Sequence, residues 1–178
     1  MQIEHELDLN RIKRIGLAEA IFCKDKSINQ IINICKDLNK KDTTLFTRLS
    51  EEKYKGLPPN IKKLINYDLA SMTGIYGKSK KVDKTSKVAL ICAGTSDMSY
   101  LLEAKYTLKC AGYKSDIYPD IGVAGLWRLQ KYIKKISNYK VCIVAAGMDG
   151  ALVSVIGGLI PNPIIAIPTS TGYGVSNK

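Results

Sequence analysis

Four short segments rich in glycine, hydroxyl side chains and aspartate recur in the second half of this 178-residue chain. They are residues 93–97 (AGTSD), 120–125 (DIGVAG), 146–150 (AGMDG) and 168–174 (PTSTGYG). Backbone N–H groups and helix N-termini in such turns bind anions, so the four segments together predict a phosphate-binding site. The first segment matches neither Gly-x-Gly-x-x-Gly nor a Walker motif, which argues against a dinucleotide-dependent dehydrogenase and against a P-loop NTPase.

Groups other than histidine must transfer protons at such a site, because the only histidine in the sequence is His5, near the N-terminus. This excludes a Ser-His-Asp triad, a Cys-His dyad and a two-histidine metal site. The candidate catalytic residues are Asp97, Asp120 and Asp149, together with Arg128 as a clamp for a phosphate or carboxylate. The alternative role for the aspartates is helix capping or turn formation, and for Arg128 it is that of an exposed helix cation.

The five cysteines include no Cys-x-x-Cys pair, which argues against both a disulfide scaffold and a zinc ribbon. Cys92 and Cys142 fall in apolar runs and Cys35 and Cys110 on helix faces, so packing is their expected role. Cys23 ends a short apolar run and its role stays open. The N-terminal residues do not resemble a signal peptide, and we expect a cytoplasmic protein.

The formal net charge of +11 is compatible with phosphate-bearing partners, including nucleotides, nucleic acid and anionic lipid. The lysines are scattered and are not interleaved with aromatic residues, as a groove for single-stranded nucleic acid would require. Residues 141–168 are almost uncharged, but glycines and prolines interrupt them every few residues. The lysines are therefore expected on solvated faces, and neither nucleic acid nor a membrane is expected as partner, whereas the four phosphate-binding segments favour a small-molecule nucleotide.

The elements that must position the four segments are predicted strands at residues 88–93, 113–118, 141–146 and 164–167. Continuous rather than alternating apolarity is typical of parallel strands that are covered on both faces. Helical periodicity between them predicts helices at 97–111, 123–136 and 150–159. This order is that of a doubly wound α/β sheet, in which ligands bind beyond the carboxyl ends of the strands.

Residues 1–76 read as a small α/β region that precedes this sheet. Ser27 and Gln30 form a capping box before a helix, and residues 43–47 and 72–76 are predicted strands. Residues 58–67 are predicted to be helical, beginning near their prolines. Residues 77–86 are a predicted linker, which leaves residues 87–178 as the main domain.

The four segments, in this order and spacing, resemble the LarB family, whose members are relatives of PurE, the aminoimidazole ribonucleotide carboxylase/mutase. The matching residues include Asp120–Arg128 (DIGVAGLWR) and residues 146–152 (AGMDGAL). Residues 8–14, Ala20–Phe22 and the Thr47-Arg48 pair are also similar to the LarB N-terminal region. The resemblance implies a PurE-like, flavodoxin-like sheet with a small N-terminal region in front of it.

LarB enzymes carboxylate the pyridinium ring of nicotinic acid adenine dinucleotide with CO2 and hydrolyse its phosphoanhydride. The products are pyridinium-3,5-biscarboxylate mononucleotide, a precursor of the nickel-pincer cofactor, and AMP. The resemblance implies these two substrates, no tightly bound cofactor, and a homo-oligomer (a tetramer or octamer), and it leaves a Mg²⁺ requirement open. The candidate substrate-binding residues are Gly94, Thr95, Ser96, Glu103, Gly122, Gly125, Gly147, Met148, Gly150, Ser154, Thr169, Ser170 and Tyr173.

The chain departs from the family pattern at several positions. Trp127 stands where the family has histidine, Asp149 where it has glutamate, and Val153 where it has proline. The Asn-Ser-Cys-Ala segment, which carries the family's nucleophilic cysteine, does not occur in residues 1–178. From these departures we expect a truncated LarB-type synthase. The alternatives are a noncatalytic nucleotide-binding remnant and a PurE-type mutase.

Overall fold

The computed structural model describes residues 5–172 and residue 174. These residues form two compact units. The first comprises the described residues up to Lys81 together with Lys109–Ala111, and the second comprises Val82–Leu108 and the described residues from Gly112 onward. Residues 78–87 form neither helix nor strand. None of the helices in the described part of the chain has the length and apolarity required to traverse a bilayer.

The first unit is a four-stranded mixed sheet with short helices. Its elements are α1 (Arg11–Ile15), β1 (Ala20–Phe22), α2 (Ile28–Asp37), β2 (Thr43–Thr47), α3 (Glu51–Gly56), α4 (Pro59–Lys62), β3 (Ile65–Asp68) and β4 (Thr73–Gly77). The strand order is β1-β2-β4-β3, in which β1 and β2 are parallel and the other pairs antiparallel. The predicted capping box is confirmed, because Ser27 Oγ accepts from the Gln30 N–H and the Gln30 side chain accepts from the Ser27 N–H.

The prediction of one helix over residues 58–67 is wrong for its second half. Helix α4 ends at Lys62, and residues 65–68 form strand β3, which pairs with β4 in the register Ile65↔Tyr76. Ile65 is buried by this pairing while Asn66 faces solvent. Antiparallel pairing with a distant strand therefore overrides the local helical spacing.

The second unit is the doubly wound α/β sheet that the sequence predicts. Its elements are β5 (Val88–Cys92), α5 (Met98–Ala111), β6 (Ser115–Tyr118), α6 (Leu126–Ile136), β7 (Val141–Ala146), α7 (Ala151–Gly157) and β8 (Ile164–Pro168). All strand pairs are parallel and the order is β6-β5-β7-β8. This is the flavodoxin-like order, in which the direction of strand addition reverses between β5 and β7.

Strands β5 and β7 are covered on both faces, as their continuous apolarity predicts. In β5, Ala89 and Ile91 pack into one cluster of buried side chains, and Leu90 and Cys92 pack into another. Strand β8 departs from this expectation. It lies at the edge of the sheet, and the Ile165 side chain is 54% exposed within the described structure.

Candidate functional site

A cleft of about 170 Å³ opens at the carboxyl ends of β5 and β7, where the strand order reverses. Residues that follow all four strands of the second unit line it. They are Ala93, Gly94, Asp97, Gly122, Val123, Ala124, Arg128, Gly147, Met148, Ala151, Leu152, Thr171 and Gly172. Parallel strands end at one edge of a sheet, so turns that are far apart in sequence meet there.

Asp97 joins two of these turns. Its side chain is 2% exposed, and its Oδ2 accepts a hydrogen bond of 3.0 Å from the Gly94 N–H within the turn after β5. Its Oδ1 accepts a hydrogen bond of 2.6 Å from the Thr169 hydroxyl, in the turn after β8. Both carboxylate oxygens of Asp97 therefore accept hydrogen bonds from the protein, and the side chain links the turn after β5 to the turn after β8.

Arg128 lies in the first turn of α6 and pairs with Asp120. Its Nη1 donates to Asp120 Oδ2, while its Nε is buried and has no hydrogen-bond partner among the described residues. Gly125 makes room for the guanidinium, because a Cβ at that position would lie 2.7 Å from Nε. A buried N–H without an acceptor, on a charged group that lines a cleft, is a ready donor to an anionic ligand.

The turn after β7 has a strained backbone. Met148 and Asp149 have φ angles of +50° and +58°, the left-handed region that non-glycine residues rarely adopt. Gly147, just before them, approaches the turn after β8 so closely that a Cβ would lie 1.7 Å from the Thr171 carbonyl oxygen. Strain of this kind persists only where the surrounding structure imposes it, and it is concentrated at functional sites.

The predicted site residues fall into several groups in the structure. Those that line the cleft are Gly94, Asp97, Gly122, Arg128, Gly147 and Met148. Those that touch the lining residues are Asp120 and Gly125, next to Arg128, and Thr169, next to Asp97. The predicted residues that lie outside the lining are Thr95, Ser96, Glu103, Asp149, Gly150, Ser154 and Ser170. Tyr173 lies outside the described residues.

The apolar residues that form the walls of the cleft were not predicted from the sequence, where only polar, charged, glycine and methionine residues were candidates. The walls are formed by Ala93, Val123, Ala124, Ala151 and Leu152, with Thr171 and Gly172 closing one side. Ala151 and Leu152 immediately follow the segment 146–150 at the start of a helix, and the other wall residues lie within the four segments, which is the signal that could have identified them.

All five cysteines are unsuited to act as nucleophiles where they stand. Cys92 is fully buried at the end of β5; burial raises the pKa of its thiol, and the charges of Asp97 and Asp120 raise it as well. Burial raises the pKa of Cys23 and of Cys35 to about 12. The same cause raises the pKa of the Cys110 and Cys142 thiols to about 11. A thiol reacts as its thiolate, so these groups are poorly reactive at neutral pH.

The strand order and the position of the cleft define a flavodoxin-like α/β protein with a PurE-like sheet. Comparison with known proteins identifies a family within this class. Residues 4–76 match the model of the LarB/PurE-like N-terminal domain. An uncharacterized protein from Methanocaldococcus jannaschii is 39% identical over 180 residues, covering 96% of this chain and 70% of that relative. The chain belongs to the LarB/PurE-like family, a family related to carboxylases.

Proposed function

We propose that the chain carries the nucleotide cleft of a LarB-type enzyme. The reaction joins CO2 to the pyridinium ring of nicotinic acid adenine dinucleotide and hydrolyses the phosphoanhydride, giving pyridinium-3,5-biscarboxylate mononucleotide and AMP. The observation that carries this proposal is the buried Nε of Arg128, which has no partner among the described residues and lies in an otherwise apolar cleft at the switch point of the sheet. Membership of the LarB/PurE-like family supports it.

Recognition of the pyridine ring is the step that the cleft suits best. Its volume of about 170 Å³ is below the ~300–1,000 Å³ of clefts that enclose a whole drug-sized ligand, so it suits one ring-sized end of a dinucleotide. Ala151 and Leu152 offer apolar contact to the ring. The Nε of Arg128 has no partner among the described residues, and we assign to it, together with Nη2 of the same planar group, a two-donor fork to the carboxylate on the ring.

The carboxylates near the cleft suit a cationic ring. In the carboxylation, one ring carbon forms a bond to CO2 and loses its hydrogen as a proton. Asp120, held by Arg128, is the carboxylate that we assign to that proton. Water supplies the oxygen that splits the phosphoanhydride, and the exposed Thr95 and Ser96, next to the start of α5, are the groups we assign to the phosphates.

The family's nucleophilic cysteine adds to the ring and is expelled again, so it does not change the overall balance of the reaction. The five cysteines described above do not match it, and the proposal gives none of them this role. Their burial and raised pKa values favour a second candidate function, a binding module that holds the nucleotide without converting it. The two candidates share the cleft and differ only in turnover.

The test combines nucleotide binding with product detection. We expect isothermal titration to show binding of nicotinic acid adenine dinucleotide, and Arg128→Lys to weaken it about tenfold, because the charge remains but the fork is lost. Lys131→Ala is the matched control: Lys131 is on the same helix but lies over the Trp127 ring, so affinity should not change.

Mass spectrometry after incubation with bicarbonate separates the two candidates. The biscarboxylate mononucleotide together with AMP supports the enzyme, and binding without either product supports the module. Absence of binding would overturn both. Size-exclusion chromatography with light scattering tests the proposed homo-oligomer, and EDTA treatment tests the use of Mg²⁺.

A further inference from the structure

The first unit has a cleft of its own, with a volume of about 530 Å³. It lies where the parallel strands β1 and β2 end, so it has the same relation to its strands as the cleft of the second unit has to β5 and β7. Its lining residues come from the segments that follow these strands, from α3 and from the turn before β4. They are Phe22, Lys24, Arg48, Ser50, Lys53 and Met72.

Hydrogen bonds hold one side of this cleft in place. Lys53, on α3, donates from Nζ to the carbonyl oxygen of Cys23 at 2.7 Å and also to the carbonyl oxygen of Lys24. Ser50 caps the same helix by accepting from the Lys53 N–H. The segment after β1 is therefore fastened to α3, and the ammonium group of Lys53 is held at the wall of the cleft.

The backbone is strained at two further residues that line this cleft. Arg48 and Met72 both have left-handed φ angles, +53° and +50°, and the Leu49 N–H donates to the Met72 carbonyl oxygen at 2.8 Å. Asp68 stabilises the turn that carries Met72, because its Oδ2 accepts from both the N–H and the hydroxyl of the buried Ser71. Two strained residues thus line one cleft, and a buried polar contact supports one of them.

The side chains in this cleft combine an aromatic ring with positive charge. Phe22 is 52% exposed, although a phenyl ring is ordinarily buried, and it stands beside the cationic residues Lys24, Arg48 and Lys53. An exposed ring offers stacking to a planar base, and arginine and lysine offer donors to a phosphate. We propose that the cleft of the first unit binds a nucleoside phosphate. A single compact cleft fits one nucleotide better than the extended groove that an RNA strand needs.

The probes are AMP, inorganic phosphate and adenosine, titrated separately into the full chain. We expect AMP to bind at least about tenfold more tightly than either fragment, because both the ring and the phosphate are recognised. Phe22→Ala and Arg48→Gly should each weaken AMP binding about tenfold. Glycine adopts a φ of +53° without strain, so Arg48→Gly places no new strain on the backbone of this turn, and thermal unfolding of the variant checks its fold.

Matched controls locate the binding site. Lys55→Ala removes an exposed cation of α3 that pairs with Glu51 and does not line the cleft, so AMP affinity should not change. Arg128→Ala disables the cleft of the second unit and should also leave AMP binding at the first unit intact. Conversely, Arg48→Gly should leave the effect of Arg128→Lys on the affinity for nicotinic acid adenine dinucleotide unchanged, so that failure of this proposal is distinguishable from failure of the proposed function.

Three results would overturn the proposal. The first is AMP affinity that neither Phe22→Ala nor Arg48→Gly changes. The second is equal affinity for AMP and inorganic phosphate, which would indicate an anion site without base recognition. The third is binding of a short single-stranded RNA in the absence of AMP binding, which would indicate a nucleic-acid surface.

Discussion

The hydroxyl of Thr169 donates a 2.6 Å hydrogen bond to the buried carboxylate of Asp97, 72 residues earlier in the chain. The bond connects the turn after β5 to the turn after β8, two strands that are not neighbours in the sheet because β7 lies between them. Since both turns contribute to the lining of the cleft, this one contact helps to define its shape. The bond fixes the position of the Asp97 carboxylate at the cleft, and the catalytic role of Asp97 stays a prediction.

We expect Asp97→Ala to lower the free energy of unfolding by about 2–4 kcal/mol, since it leaves the Thr169 hydroxyl and the Gly94 N–H without an acceptor. Thr169→Val should lower it by about 1 kcal/mol. Urea denaturation of both variants and of the double variant measures the coupling, expected at about 1 kcal/mol. Strictly additive effects would show that the bond does not contribute to stability in solution.

Gly147→Ala should disturb the cleft, because the new Cβ would lie 1.7 Å from the Thr171 carbonyl oxygen and the turn after β8 would have to move. We expect a loss of stability of about 1–3 kcal/mol, as for other overpacked sites, and weaker nucleotide binding. Gly157→Ala is the control, since its nearest neighbouring atom would be 3.8 Å away. Comparable denaturation midpoints for the two variants would contradict the close approach of these turns.

Gly125→Ala should affect binding and leave stability nearly intact. The added Cβ would lie 2.7 Å from Nε and 2.8 Å from Nη2 of Arg128, so the flexible guanidinium would shift away from its place beside Asp120. We expect the affinity for nicotinic acid adenine dinucleotide to fall about tenfold while thermal unfolding changes little. Gly158→Ala, where the nearest atom would be 3.6 Å away, is the control. Unchanged affinity would show that the position of Arg128 does not determine binding.

Stability should fall at alkaline pH because buried thiols resist ionisation. In the unfolded chain Cys23 and Cys35 ionise near pKa 9.0, whereas burial raises their pKa to about 12 in the folded protein. Unfolding therefore releases protons between these values, so their contribution is complete below about pH 9 and is lost as the pH rises toward about 12. We expect urea midpoints to fall between about pH 8 and about pH 10.5, and less steeply in Cys23→Ala. Equal steepness in the two proteins would show that this thiol does not contribute.

The doubly wound sheet could be predicted because its strands are continuous apolar runs separated by amphipathic helices. Strand β3 could not, since Ile65 and Tyr67 follow a helical start and become a strand only by pairing with β4. The exposure of Ile165 could not be predicted either, because the apolar run of β8 resembles those of the central strands. Only the strand order shows that β8 lies at the edge of the sheet.

The residue types in the four segments were enough to indicate which turns line the cleft. Glycine, aspartate and hydroxyl residues also cap helices, but four such segments after parallel strands must lie on the same side of the sheet. The individual contacts required the assembled fold. Only there does Asp97 face Thr169, and only there does Arg128 pair with Asp120 while its Nε has no partner among the described residues. The same holds for the alanine and leucine side chains of the walls. Those pairings depend on distances between strands that lie far apart along the chain. Packing of the whole domain sets these distances, so they cannot be derived from a local sequence pattern.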